Sequence, residues 1–422
     1  MNSRTRIIKA INHKEPDQVP IDLGATPSSG ISAIAYHYLK KHLKIHSGAT
    51  RVYDVSQQLA QPEDNILERF NVDVIDVGRA FNKSKEDWYE TYTSHDNPRY
   101  DQIPIQYPQW FTPKINDLGG EEIIDSNNVI LAKKSRTTTF FEQTHYPFLN
   151  GYPKDLSELI EVFKEGLWSK TPLPPFDHMK EGNFWAKLKE RTQKLREETD
   201  KALVIGVGCN LFETGTFLRR MDKFLIDLIK NPDKVIKFLD ILMDLHLTFL
   251  KKVCQYVGDL VDIMKFGDDL GENQGPFMSP KTYQVIFKPR HKELCDFVKE
   301  NSSAHTMLHS CGSIYEIIPD LIEAGFDILN PVQINAKNMD PHKLKHDFGE
   351  EVTFWGGGAD TRNVLNKANP KVVKKHVLEL LEIFSQSGGY VFNQVHNILP
   401  EIPPENIVAM FQAVEEFNKS KR

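Results

Sequence analysis

Thr306-Met307-Leu308-His309-Ser310-Cys311-Gly312-Ser313 is the stretch on which the reading of this chain turns. Its first half is a short apolar run and its second half is polar and ends in glycine and serine, the pattern of a buried strand opening into a loop. Strand side chains alternate in direction, so His309 and Cys311 share one face. Imidazole and thiolate are both good zinc ligands. His396, far downstream, supplies a third ligand if the fold returns it to the same point. Three protein ligands and an open position form a catalytic arrangement rather than a structural one.

Working outward, seven more short runs resemble this one: Val19–Leu23, Val72–Val77, Ala202–Val207, Asp262–Phe266, Asp327–Val332, Val352–Trp355 and Gly389–Phe392. Helical periodicity follows most of them, over Ile31 to Ile45, Thr216 to Ile229, Ser279 to Lys299, Ile314 to Ala324 and Pro370 to Phe384. Eight strand–helix units predict an α/β fold of the TIM (β/α)8 barrel type, with an open doubly wound sheet as the alternative. The whole chain, residues 1–422, reads as one domain. A long interruption, residues 80–200, falls between the second and third strands. Glu122–Leu131 and Lys134–Phe141 in it suggest hairpin strands, with turn chemistry at Asp125-Ser126-Asn127-Asn128, and Phe184 to Glu198 reads as a charged helix. This is expected to be an insertion, a lid over one end of the barrel or a small separate domain.

Composition excludes several classes of function. The chain has 52 Lys and Arg against 58 Asp and Glu, a net charge of −6, with no long basic run, so nucleic acid is not an expected partner. No stretch approaches the ~20 apolar residues that a bilayer demands. The start of the chain lacks the apolar core of a secretion signal. Cys209, Cys254, Cys295 and Cys311 are too scattered for a disulfide framework. A cytoplasmic protein is expected.

Barrel enzymes gather their chemistry where strands end. The first strand contains Asp22. The third leads to Asn210 and Glu213, the fourth to Asp268-Asp269, the fifth to His309 and Cys311, the sixth to Asn330 and Gln333, the seventh to Gly356-Gly357-Gly358, and the eighth to Asn393 and His396. Asp268 and Asp269 are candidate catalytic residues, although adjacent residues of an extended chain point opposite ways. Asp22, Asn210, Asn330, Gln333 and Asn393 are candidate substrate contacts. The three glycines permit close approach by a large planar or phosphate-bearing cofactor, and equally suit a tight turn. His309 as a hydrogen-bonded core residue and Cys311 as a small buried hydrophobe are the plainer readings.

These segments together resemble the uroporphyrinogen decarboxylase superfamily, and within it the branch of corrinoid-dependent methyltransferases. The resemblance runs from Arg6-Ile7-Ile8-Lys9-Ala10-Ile11-Asn12-His13-Lys14-Glu15-Pro16-Asp17 through Lys265-Phe266-Gly267-Asp268-Asp269-Leu270-Gly271 and Asp327-Ile328-Leu329-Asn330-Pro331-Val332-Gln333 to Pro403-Pro404-Glu405-Asn406-Ile407. It implies a TIM barrel. In zinc members such as the methyl-corrinoid:coenzyme M methyltransferases it implies a metal held by a His-x-Cys pair, matched by His309 and Cys311, and a later Cys, whose place is taken here by His396. Exchanging thiolate for imidazole makes the ion a stronger Lewis acid. The implied activity is zinc-dependent transfer of a methyl group between the cobalt of a corrinoid, carried by a partner protein, and a thiol or methoxylated substrate. The alternative is a metal-free decarboxylase or lyase acting on a carboxylate. A non-catalytic corrinoid-handling protein is a third reading, although the chain has no Asp-x-His-x-x-Gly cobalamin motif.

Overall fold

The computed structural model describes residues 1–421. Its centre is a parallel sheet whose strands lie in chain order: Val74–Asp76, Ala202–Gly208, Ile263–Gly267, His305–His309, Ile328–Asn330, Thr353–Trp355 and Tyr390–Val391. The gap between its two edges is closed by the segment around Ile21. Ile21 bridges Phe392 in parallel, Asp22 N donates to Phe392 O at 2.9 Å, and Asp73 N donates to Ile21 O at 2.8 Å. The result is the eight-membered TIM barrel that the strand count predicts. The first member is shorter than expected. Ile21 N donates to the Asp73 carboxylate rather than to a neighbouring main-chain carbonyl, and Pro20 has no N–H to give.

Alternation along these strands builds two layers. Val74, Ala202, Val204, Ile263, Met307, Ile328, Trp355 and Val391 form the barrel interior. Leu203, Ile205, Met264, Phe266, Leu308, Leu329 and Phe354 face the surrounding helices. Ile7, Ala10 and Ile11 of the first helix, Ser3–Ile11, join the interior cluster and plug the barrel at its N-terminal end.

The helices depart from the sequence reading where backbone chemistry intervenes. The run over 216–229 is two helices, Phe212–Arg219 and Met221–Lys230, broken at Arg220, whose φ is +68°. The 26-residue helix Pro232–Val257, passed over in the sequence, buries a stripe including Val235, Phe238, Leu242 and Leu250. Within the run over 279–299, Tyr283–Phe287 is a π-helical turn. Pro289 lies in the turn that follows and offers no N–H to a regular ladder. Phe184–Glu198 and Pro370–Phe384 are helices as expected.

The interruption holds an antiparallel pair, Trp88–Tyr92 with Pro104–Pro108, and a four-stranded antiparallel sheet. The hairpin strands are Glu121–Ile124 and Ile130–Lys134; residues beyond Lys134 turn away instead of continuing a strand. Asp125 Oδ1 accepts from the N–H groups of Asn127 and Val129, and Asn128 has a φ of +62°. Residues 50–60, after the first helical region, receive the insertion: Gln106 N donates to Thr50 O at 2.8 Å and Phe141 N to Ser56 O at 2.9 Å. Among the described residues no helix is long and apolar enough to cross a membrane.

Candidate metal centre at the barrel mouth

His309 ends the fifth strand and points inward. Its Nδ1 lies 3.1 Å from Asn330 Oδ1. Asn330 Nδ2 donates to Trp355 O at 3.0 Å, and Asn330 Oδ1 accepts from Ser28 Oγ at 2.6 Å. The amide orientation is thereby set, so Oδ1 accepts from the Nδ1–H of His309. Nε2 is left with its lone pair facing Cys311 Sγ, 3.6 Å away. This is the tautomer that ligates.

His396 arrives from the loop after the last strand. It sits at φ +57°, a conformation unusual for a residue with a Cβ. Val395 N donates to Ala359 O and Gln394 Nε2 to His396 O, which hold the loop. The two imidazole rings are 5.5 Å apart between centroids. One ligating atom each from His309, Cys311 and His396 lie within 4.8 Å of one another. A tetrahedral zinc ion with bonds of about 2.0–2.3 Å would place its ligand atoms about 3.3–3.8 Å apart, so modest side-chain rotations close the triangle.

The electrostatics suit a cation. Burial pushes both imidazoles down to about 3, so both are neutral and able to ligate. Burial, followed by the charges of Asp269 and Glu213, pushes the Cys311 thiol well above its ordinary value. A divalent ion among these donors would displace the thiol proton. The donor set therefore fits zinc.

The paired aspartates separate cleanly. Asp269 Oδ1 accepts from Cys311 N at 2.8 Å and lies 3.4 Å from His309 Nε2, at the centre itself. Asp268 is fully buried and turned away. Its oxygens accept from Phe212 N at 2.9 Å and Glu213 N at 2.8 Å, and His291 Nε2 stands 3.2 Å from it. A carboxylate there satisfies the free N–H groups at the start of the Phe212–Arg219 helix. Asp268 is thus a positioning residue, not the catalytic candidate expected of it.

The other expected contacts also divide. Gln333 Oε1 accepts from Gly312 N and borders a cleft of about 330 Å³ together with Asn273, Cys311, Asn335, Arg362 and His396. Asn210 Nδ2 donates to Glu213 Oε2 at 2.5 Å. Asn330 is buried and orients His309 instead of meeting a substrate. Asn393 is buried against Gly356. Asp22 is fully buried, accepting from Trp355 Nε1 at 2.8 Å and Ala25 N at 3.0 Å, and burial pushes its carboxyl up to about 6. It braces the barrel below the mouth, so it is not a substrate contact. The glycines at 356–358 make no cofactor cradle. A Cβ would strike Asn393 Oδ1 at 2.9 Å from Gly356, Val332 Cβ at 2.9 Å from Gly357 and the Phe392 ring at 2.3 Å from Gly358. Neighbouring loops crowd them, and the glycines answer that crowding.

Two groups of the mouth escaped the candidate set. Glu213, bonded to Asn210, is pushed up to about 8 by burial and by Asp269 and Asp268. Lys265 lies on the fourth strand within electrostatic reach of Glu213, Asp269 and Cys311. The apolar neighbours Met264 and Phe266 hide it in the sequence; counting by twos from Ile263 would have placed it on the inward face.

A sequence model of the uroporphyrinogen decarboxylase family matches residues 172–417, more than half of the chain. The chain belongs to the uroporphyrinogen decarboxylase family. It is 39% identical over 98 residues to the uroporphyrinogen decarboxylase of Methylococcus capsulatus, a match covering 23% of this chain and 26% of that one. With the enzyme of Chloroherpeton thalassium the identity is 23% over 198 residues, covering 46% and 52%. The matches thus span about a quarter to about half the length of these curated relatives. A methyltransferase structure from Methanosarcina mazei superposes over 99% of both chains with a TM-score of 0.56 at 16% identity. This family member and that methyltransferase share the barrel fold.

Proposed function

We propose that the chain is a cytoplasmic, zinc-dependent methyltransferase that moves a methyl group between the cobalt of a corrinoid, carried by a partner protein, and a thiol or methoxylated substrate. The observation that supports this reading most strongly is the convergence of His309, Cys311 and His396 at the edge of an open cleft, with Asn330 fixing the His309 tautomer. The full-length likeness to a methyltransferase structure is consistent with it. Zinc at this triangle would acidify a bound thiol or draw charge from a methoxy oxygen. His309 and His396 would hold it as neutral ligands and Cys311 as a thiolate. Asp269, on the Cys311 N–H, steadies the loop that carries the sulfur and balances the added positive charge. Glu213 would hold the proton that a thiol gives up or an alkoxide takes back.

The names of the curated relatives suggest decarboxylation instead. Against that reading, the lining of the cleft offers a single guanidinium, Arg362, where a polycarboxylate would call for several. The test is elemental analysis with a methyl-transfer assay from methylcobalamin on wild type, His309→Ala, Cys311→Ser and His396→Ala. About one zinc per wild-type chain, and loss of both metal and transfer in each folded variant, is the expected result. Full zinc retention by His396→Ala would sink the three-ligand centre.

A further inference from the structure

Behind the barrel mouth runs a line of buried polar side chains to which the metal centre gives no role. Tyr283, His291 and Asp268 are each no more than 1% exposed. Tyr283 Oη lies 3.0 Å from His291 Nδ1, and His291 Nε2 lies 3.2 Å from Asp268 Oδ2. Both Asp268 oxygens accept, so His291 donates through its Nε2–H and its Nδ1 accepts from the Tyr283 hydroxyl. Asp268 passes the line on to the main-chain N–H groups of Phe212 and Glu213, at 2.9 and 2.8 Å. The buried His246 holds the same turn from its carbonyl side, where its Nε2 donates to Asn210 O at 3.0 Å.

The backbone is bent to make this line possible. On a regular helix, residues eight apart lie about 80° from each other around the axis. The π-helical turn Tyr283–Phe287 takes up one extra residue and returns Tyr283 and His291 to one face, with 5.8 Å between ring centroids. The turn that receives the line has an uncommon shape of its own. Gly208 and Cys209 have φ values of +63° and +52°, and the second is costly for a residue with a Cβ. A Cβ on Gly267 would stand 2.4 Å from Asn210 Nδ2, the group that donates to Glu213 Oε2. The main chain of Glu213 is thus held by Asp268 and its carboxyl by Asn210.

We propose that Tyr283, His291 and Asp268 form a positioning relay that holds Glu213 at the barrel mouth before substrate arrives, so that His291 acts on the reaction through Glu213 alone. The inference rests on the methyl-transfer reading, which gives Glu213 its proton, and deepens it by naming what keeps that group in place. The need is electrostatic. Asp268 and Asp269 both act on Glu213 as like charges, and on a slack turn they would drive its carboxyl outward to solvent. A turn clamped from behind withstands that push and spares the transition state the cost of ordering it.

A double-mutant cycle on the zinc-loaded protein tests it, with methyl transfer from methylcobalamin to 2-mercaptoethanol as the assay. His291→Leu should lower kcat about 10–100-fold, with KM and zinc content at wild-type values. In a Glu213→Gln background the same substitution should cost nothing further. His291→Gln, whose side-chain amide can donate to Asp268, should recover most of the rate. Tyr283→Phe keeps the ring and should show a smaller loss with the same dependence on Glu213; it carries the cycle if circular dichroism shows His291→Leu unfolded. Hydrogen exchange gives a readout without turnover: residues 208–216 should lose protection at least about tenfold in the His291 or Tyr283 variant used, and the rest of the barrel should not. An equal loss of rate in both backgrounds, or unchanged protection of 208–216, would overturn the relay and leave zinc-dependent methyl transfer standing. A wild type that shows the exchange effect but transfers no methyl group would keep the relay and remove the methyltransferase reading.

Discussion

At the scale of single residues, the mouth works by assigning each polar atom one partner. Asn330 is the clearest case, because its amide is oriented by Trp355 and Ser28 before it meets His309. Asn330→Ala should leave His309 free to swing and to change tautomer. Its zinc affinity should fall about 10–100-fold, the usual effect of losing such an outer partner, read by competition with a chromophoric chelator. Asp76 gives a pH test. Burial pushes its carboxyl from an ordinary 3.8 up to about 7. The folded chain therefore holds this proton more tightly than the unfolded chain. The group favours folding least above pH 7, where the partly buried site must carry charge, and its penalty fades as pH falls through the window from 7 to 3.8. Asp76→Asn has no charge to bury, and its amide oxygen still accepts from Gly78 N. Its melting temperature relative to wild type should rise as pH goes from 5 to 8. A difference that is flat or falls with pH would contradict the burial argument.

Whether the sequence reveals such residues depends on what their neighbours hide. His309 and Cys311 are readable because strand alternation alone puts them on one face. Asp268 and Asp269 are not, since alternation says only that they diverge, and the helix start at Phe212 decides which one is consumed. Gly356 to Gly358 look alike as cradle or as crowded turn until Val332 and Phe392 are seen against them.

At the scale of elements, the first helix does more than its polar sequence suggests. Ser3–Ile11 seals the bottom of the barrel with Ile7, Ala10 and Ile11. Arg4 and Arg196 pair with the buried Asp262, which also accepts from Leu203 N, tying that helix and Phe184–Glu198 to the sheet. Ile7 is fully buried. Ile7→Ala should cost about 2–5 kcal/mol of stability, measured by chemical denaturation, with no change in zinc content because the plug lies at the end away from the mouth. Loss of zinc from a still-folded Ile7→Ala protein would show that the two ends of the barrel are coupled.

At the scale of the whole molecule, the question is how firmly the insertion is joined to the barrel. Its apolar residues Ile103, Ile105, Ile123 and Leu131 belong to the same core cluster as the barrel's outer layer. A buried polar knot reinforces the joint. Lys134 Nζ lies 2.7 Å from Glu121 Oε1, with the two side chains 5% and 6% exposed, and both Lys134 and Tyr107 donate to Gln58 Oε1. Lys134→Met strands a buried carboxylate and should cost about 3–5 kcal/mol, whereas the double variant Lys134→Met, Glu121→Leu should recover most of that. Denaturation midpoints of the single and double variants check this. Equal losses in both would mean that the pair is solvated rather than buried.

The sequence by itself determined the alternation of strands and helices, the long break in it after the second strand and the single face shared by His309 and Cys311. Each follows from local periodicity, which is written along the chain. Only the tertiary structure decided that closure against Ile21 carries His396 to within reach of His309, and that Asp269 faces the centre while Asp268 caps a helix. Those outcomes depend on distances between segments far apart in the chain, and no local pattern encodes a distance of that kind.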